Sequence, residues 1–119
     1  MKLLKLFLSC GNYIYFPSRF YVLNICNFLL EIEFDEAKAG ANLKKHGVSF
    51  EEAARALFDE RALSMEDPYA RGESRFILVG LGDLARLLTV VYTVRRHRIR
   101  LISARKASKR ETKQYAKGI

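Results

Sequence analysis

The chain predicts an α+β fold: an antiparallel sheet of three to five strands, packed by two N-terminal helices and a C-terminal helix. Three observations point there. Asp35 and Ser49 each precede a stretch with helical signals, four runs rich in apolar, β-branched and aromatic residues follow between Ala62 and Arg105, and Ser108-Lys-Arg-Glu111 repeats a helix-opening pattern near the end. With 119 residues, half of them apolar, the chain is long enough for one modest core without staples. Its two cysteines, Cys10 and Cys26, have no neighbours at zinc-ligand spacing, which suits a reducing, cytoplasmic compartment.

Each element has its own signal. Glu31-Ile-Glu-Phe34 alternates polar and apolar and reads as a short strand. Asp35 is suited to cap a helix running through His46, because a carboxylate accepts the unpaired N–H groups of a first turn; Gly47 supplies the left-handed stop. Ser49-Phe-Glu-Glu52 is a capping box, after which Phe50, Ala53, Ala54, Leu57 and Phe58 share one helical face. Ala62 to Glu66 predicts a short strand, and Arg75 to Leu81 and Leu87 to Val94 predict long ones. Gly80 to Arg86 forms a loop, and Arg95-Arg-His97 turns the chain into the strand Arg98 to Arg105. The last three strands therefore read as an antiparallel meander, and Ser108 opens a final helix to about Lys117. The order β-α-α-β-β-β-β-α describes one layered domain over residues 31–119.

Residues 1–30 differ. They contain no acid, three basic residues and scattered aromatics without a sustained period. Lys2 and Lys5 among leucines faintly imitate a signal peptide and Phe7-Leu-Ser-Cys10 a lipoprotein site, yet the apolar stretch is short and interrupted. Phe20 to Leu30 is too short for a bilayer span. The expectation is a non-native or disordered extension, translated upstream of a true start near Leu30, with no membrane partner.

Charge is segregated. Arg95 to Ile119 carries ten Lys/Arg and one acid, whereas Glu31 to Val94 carries eight Lys/Arg and twelve Asp/Glu. A formal charge of +8 makes small acidic substrates poor candidates and nucleic acid a natural partner. A solvated basic tail is the plainer alternative.

Phe34-Asp-Glu-Ala-Lys38, Asn42-Leu-Lys-Lys-His-Gly-Val-Ser-Phe-Glu-Glu-Ala53, Val90-Val-Tyr-Thr93 and Arg98-Ile-Arg-Leu-Ile-Ser-Ala-Arg-Lys-Ala107 closely resemble the BrnT toxins over about residues 31–117. Phe34 stands where that family commonly has Trp, and residues 1–30 have no counterpart. The resemblance implies a RelE-like fold and a ribonuclease toxin of a type II toxin-antitoxin pair. It also implies a BrnA-like antitoxin partner, through which alone the toxin would meet operator DNA.

Metal-free cleavage of RNA needs a proton acceptor for the 2′-hydroxyl, a donor for the 5′-oxygen and cations for the phosphorane. No carboxylate cluster suited to magnesium is evident, so no cofactor is expected. His46, Arg75, Arg100 and Arg105 are the catalytic candidates, with Lys45, Arg98, Ser103 and Tyr92 as contacts to RNA phosphate. Arg98 and Arg100 alternate with Ile99 and Leu101 and share a strand face. Strict alternation puts Arg105 on the other face unless a bulge redirects it. Arg75 and Tyr92 are expected on the same sheet face as Arg98 and Arg100, and Lys45 and His46 in the same pocket. For each arginine a solvated sheet face is the alternative; for His46 it is a helix C-cap, for Tyr92 a packed aromatic, and for Ser103 a filler. His97 is expected to face solvent, and Glu73, beside Arg75, to form an exposed loop ion pair, with a general base as its alternative role. Other readings are a non-catalytic nucleic-acid-binding module and a degenerate toxin acting as corepressor.

Overall fold

Alternation in the segment ending at Phe34, followed at once by a capping aspartate, forces the chain from strand into helix. The computed structural model describes residues 2–5, 7–9, 12–14, 23–25, 28–96 and 98–118. Its elements are β1 (Lys2–Lys5), β2 (Phe7–Ser9), β3 (Asn12–Ile14), β4 (Leu23–Ile25), β5 (Phe28–Phe34), α1 (Glu36–His46), α2 (Phe50–Ala56), β6 (Leu63–Glu66), β7 (Arg75–Leu81), β8 (Leu87–Arg95), β9 (Arg98–Lys106) and α3 (Lys109–Lys117). Ahead of Glu31, β1 and β4 each pair antiparallel with β5, and β2 pairs with β3. The expected turn residue His97 lies outside the described residues.

The caps act as the sequence indicates, with one exception. Asp35 accepts the Ala37 N–H at 2.8 Å, and Gly47 closes α1 at φ 69°, ψ 20°, a left-handed conformation that favours glycine. Ser108 and Glu111 form a complete capping box on α3. At α2 only half the box forms. Ser49 accepts the Glu52 N–H, but the Glu52 side chain is buried and receives Arg86 Nε and Nη2 at 2.9 and 2.6 Å. A buried carboxylate needs a cation more than it needs a cap, so Arg86 wins it and ties α2 to the β7–β8 hairpin.

The central sheet has the order β5-β9-β8-β7-β6. Strands β6 to β9 form the expected antiparallel meander. However, β5 joins β9 in parallel, with Glu31 opposite Arg98, Ile32 opposite Ile99 and Glu33 opposite Arg100. The sheet is therefore mixed, which corrects the wholly antiparallel expectation. Hairpin turns announce antiparallel neighbours locally, whereas the partner of β5 is chosen by where two intervening helices return the chain.

One sheet face carries the core: Ile32, Phe34, Leu78, Leu88, Val90, Ile99, Leu101 and Ala104 pack with Val48, Phe50, Ala53, Ala54 and Ala56. Phe34 and Phe50 meet edge to face with centroids 5.3 Å apart. Gly80 lets β7 approach α2; a Cβ there would sit 2.5 Å from the Ala56 carbonyl oxygen. The Tyr115 hydroxyl donates to Asp59 Oδ2, the oxygen that also accepts the Leu81 N–H, and this docks α3 beside β7.

Asn42 and a bulge decide the geometry of β9. Val91 opposes Ser103 and Tyr92 opposes Leu101, so Ile102 is an extra residue. β5 pairs with β9 only over Arg98 to Arg100. Beyond that point Asn42 completes the strand edge: its Nδ2 donates to the Ala104 and Val48 carbonyls at 2.8 and 3.0 Å, and its Oδ1 accepts the Ala104 N–H at 3.1 Å. A side-chain amide thus replaces a missing strand.

Candidate functional site

The bulge resets the alternation of β9. Arg98, Arg100, Ser103 and Arg105 consequently all lie on the sheet face opposite the helices α1 and α2. This open face brings together residues from four strands. Arg75 on β7 opposes Thr93 on β8, Thr93 opposes Arg100 on β9, and Arg100 opposes Glu33 on β5. With neighbouring strands about 4.8 Å apart, the two arginines stand on backbones roughly 10 Å apart with a threonine between them. Two guanidinium groups at that separation can reach one phosphodiester from opposite sides.

The row is incompletely satisfied. Thr93 is 3% exposed and its Oγ1 has no hydrogen-bond partner; Arg75 Nε is likewise buried and unpartnered. Arg75 keeps one loose contact, Nη2 to Asp67 Oδ2 at 3.5 Å. Among the described residues half-buried Arg100 has no ion-pair partner. Unpaired buried donors cost about 1–3 kcal/mol each, a cost that a bound anion removes. Thr89 Oγ1 is also buried and unpartnered, in the next row of the same face, opposite Arg105.

The remaining cations of this face are already engaged. Arg98 Nε binds Glu31 at 3.0 Å, and its Nη1 lies 3.5 Å from Glu33. Arg105 holds Glu111 through both terminal nitrogens at 2.8 and 3.1 Å. Burial pushes the Glu111 carboxyl up, but hydrogen bonds from Arg105 and Ser108, and the Arg105 charge, outweigh it and bring its pKa down to about 2. Arg95 donates two bonds to Glu73, at 2.5 and 2.7 Å. Those bonds hold the Glu73 carboxyl below its ordinary range, against some desolvation, with the charges of Arg95 and Arg100 assisting.

Two sequence expectations are corrected by these positions. Tyr92 lies on the helix face, stacked on Phe76 at 5.5 Å with its hydroxyl 3.0 Å from Ser64 Oγ, because the register sets Thr93, not Tyr92, beside Arg75. Lys45 and His46 end α1 on the helix side, where Asn42 of the same helix binds Ala104, so the sheet separates them from Arg98 and Arg100 and no shared pocket forms. Glu73 does form an exposed ion pair, with Arg95, while the partner of Arg75 is Asp67. Arg75, Arg98, Arg100, Ser103 and Arg105 do share a face. Sequence reading missed Glu33 and Thr93. The alternation of Glu31-Ile-Glu33 signals a non-core face for Glu33, but nothing local names its neighbour.

Among the described residues no three His, Cys, Asp or Glu side chains converge as metal ligands, and no helix is long and apolar enough to cross a membrane.

The family described as "Ribonuclease toxin, BrnT, of type II toxin-antitoxin system" matches residues 34–111, about two-thirds of the chain. The crystal structure of the Brucella abortus ribonuclease toxin BrnT is similar, with a TM-score of 0.50 and 23% identity over 66% of this chain and 96% of that one. No curated protein matches. The fold is thus an α+β arrangement with a mixed sheet like that of the Brucella toxin, and the broader RelE-like description gives way to this narrower one.

Proposed function

Because the chain belongs to the BrnT family of ribonuclease toxins of type II toxin-antitoxin systems, we propose that the open-face row of Arg75, Thr93 and Arg100 is where it cleaves RNA. The observation that carries this reading is Arg100: a half-buried guanidinium without a carboxylate partner among the described residues, beside two buried polar atoms that lack partners of their own. Arg100 and Arg75 grip the non-bridging oxygens of the scissile phosphodiester, and the Thr93 hydroxyl forms the floor. As the 2′-oxygen attacks, charge builds on those oxygens, and fixed guanidinium groups stabilise that charge more than they stabilise the ground state. Arg98, Ser103 and Arg105 continue the same face and guide the flanking phosphates. The reaction needs no metal, since the cations it requires are side chains.

The partner is a BrnA-like antitoxin that silences the toxin by laying an acidic segment across the arginine row; operator DNA is met only through that partner, in the cytoplasm. Residues 31–119 form the toxin unit and residues 1–30 an extension to it.

Incubating the purified chain with RNA in EDTA tests the reading. The expected products end in 2′,3′-cyclic phosphate, and Arg100→Ala slows their release by about 10²–10³-fold, the scale of losing one transition-state contact. Absence of cleavage by the parent chain, or an Arg100→Ala variant as fast as the parent, overturns it. A non-catalytic binding module is the second reading, favoured by the exposed cations Lys109, Arg110, Lys113 and Lys117 on α3; it expects RNA binding that falls steeply with salt, without cleavage.

A further inference from the structure

We infer that Glu33 is the general base of this site, accepting the 2′-hydroxyl proton of the ribose whose phosphate Arg100 holds; this rests on the assignment of the arginine row as the cleavage site. Glu33 is the neighbour of Arg100 in the parallel β5–β9 pair and continues the row that begins at Arg75, with Leu3 of β1 opposite it on its other side. Adjacent strands stand about 4.8 Å apart, close to the step from a ribose 2′-oxygen to its own 3′-phosphate, so a phosphate seated on Arg100 sets its 2′-hydroxyl over Glu33.

The other acids around the face are otherwise committed. Glu73 has both oxygens bound by Arg95, Glu111 both by Arg105, and Glu31 receives Arg98 at 3.0 Å. Asp67 faces Arg75 and accepts the Tyr69 N–H. His46 lies behind the sheet. Glu33 is 8% exposed, yet among the described residues no hydrogen bond engages its carboxylate, and its one cation contact is Arg98 Nη1 at 3.5 Å. Arg98 Nη1 lies close enough to orient the carboxylate while leaving it a lone pair for a proton.

The step balances without a further reactant. The 2′-O–H bond breaks and its proton passes to Glu33; the 2′-oxygen forms a bond to phosphorus; the P–O5′ bond breaks and its electron pair leaves on the 5′-oxygen, which takes a proton from water. The products are a 2′,3′-cyclic phosphate and a 5′-hydroxyl.

Single-turnover cleavage by the full chain, at saturating RNA in EDTA from pH 5 to 9, tests the role. Glu33→Gln is expected to slow cleavage by about 10²–10⁴-fold and flatten the acid limb of the profile. Its affinity for the same RNA carrying a 2′-deoxy scissile ribose should stay within about threefold of the parent's, a difference of less than 1 kcal/mol. Glu33→Asp is expected to restore part of the rate and the acid limb. If the Gln variant melts below the assay temperature, Glu33→Asp carries the test: a reduced rate with a displaced acid limb supports the role, and an unchanged rate and profile overturn it. A Glu33→Gln variant that cleaves near the parent rate while Arg100→Ala does not removes the base and leaves the arginine row standing. If Arg100→Ala also cleaves like the parent, the row itself is misassigned.

Discussion

Replacing Asn42 by Ala should test how the active face is built. The Asn42 side chain is 7% exposed and makes three hydrogen bonds, two to the Ala104 peptide and one to the Val48 carbonyl. Truncation loses three bonds worth about 1 kcal/mol each net and leaves the Ala104 N–H buried beside a residue that is itself 0% exposed. The small cavity adds to that loss, for a total of about 3–5 kcal/mol. Against a global stability of about 5–15 kcal/mol this is a large fraction. In urea denaturation, with a slope of roughly 1.5 kcal/mol per molar, the midpoint should fall by about 2 M or more. Asn42→Asp should be as damaging, because it keeps an acceptor for the Ala104 N–H but turns a carboxylate towards two carbonyls. The same substitutions should lower RNA cleavage in the folded fraction, since Ala104 follows the bulge that turns Ser103 and Arg105 onto the Arg100 face. A loss below about 1 kcal/mol for Asn42→Ala would refute the view that this amide completes the strand edge.

Other outcomes are expected. Gly80→Ala should destabilise the chain by about 1–3 kcal/mol, because its Cβ would meet the Ala56 carbonyl oxygen at 2.5 Å; thermal melting checks it. The Glu111 carboxyl is held down to about 2 in the folded chain against an ordinary value of 4.5, so its contribution is fully present above pH 4.5 and is lost as the pH falls towards 2. After allowance for solvent screening, Glu111→Gln should cost roughly 1 kcal/mol at pH 7, a difference that narrows steadily in melts taken below pH 4.5. Arg86→Met should cost about 3–5 kcal/mol by stranding the buried Glu52 carboxylate, whereas the double change Arg86→Met, Glu52→Leu should recover much of it in a denaturation series.

Local chemistry determined most of the elements before any tertiary contact was known. Asp35, Ser49 and Ser108 opened the three helices, Gly47 closed the first, and the β-branched runs marked the meander, because caps and alternation act within a few residues. The cluster of arginines after Val94 was likewise visible as charge. Three things were decided only by the fold. The parallel union of β5 with β9 joined Glu33 to Arg100, residues far apart along the chain, and no local pattern encodes that choice. The Ile102 bulge turned Arg105 onto the face of Arg100, against strict alternation. The β7–β8 register exchanged Tyr92 for Thr93 beside Arg75. Residue type and spacing determine which side chains alternate; only strand register and helix packing determine whose neighbours they become.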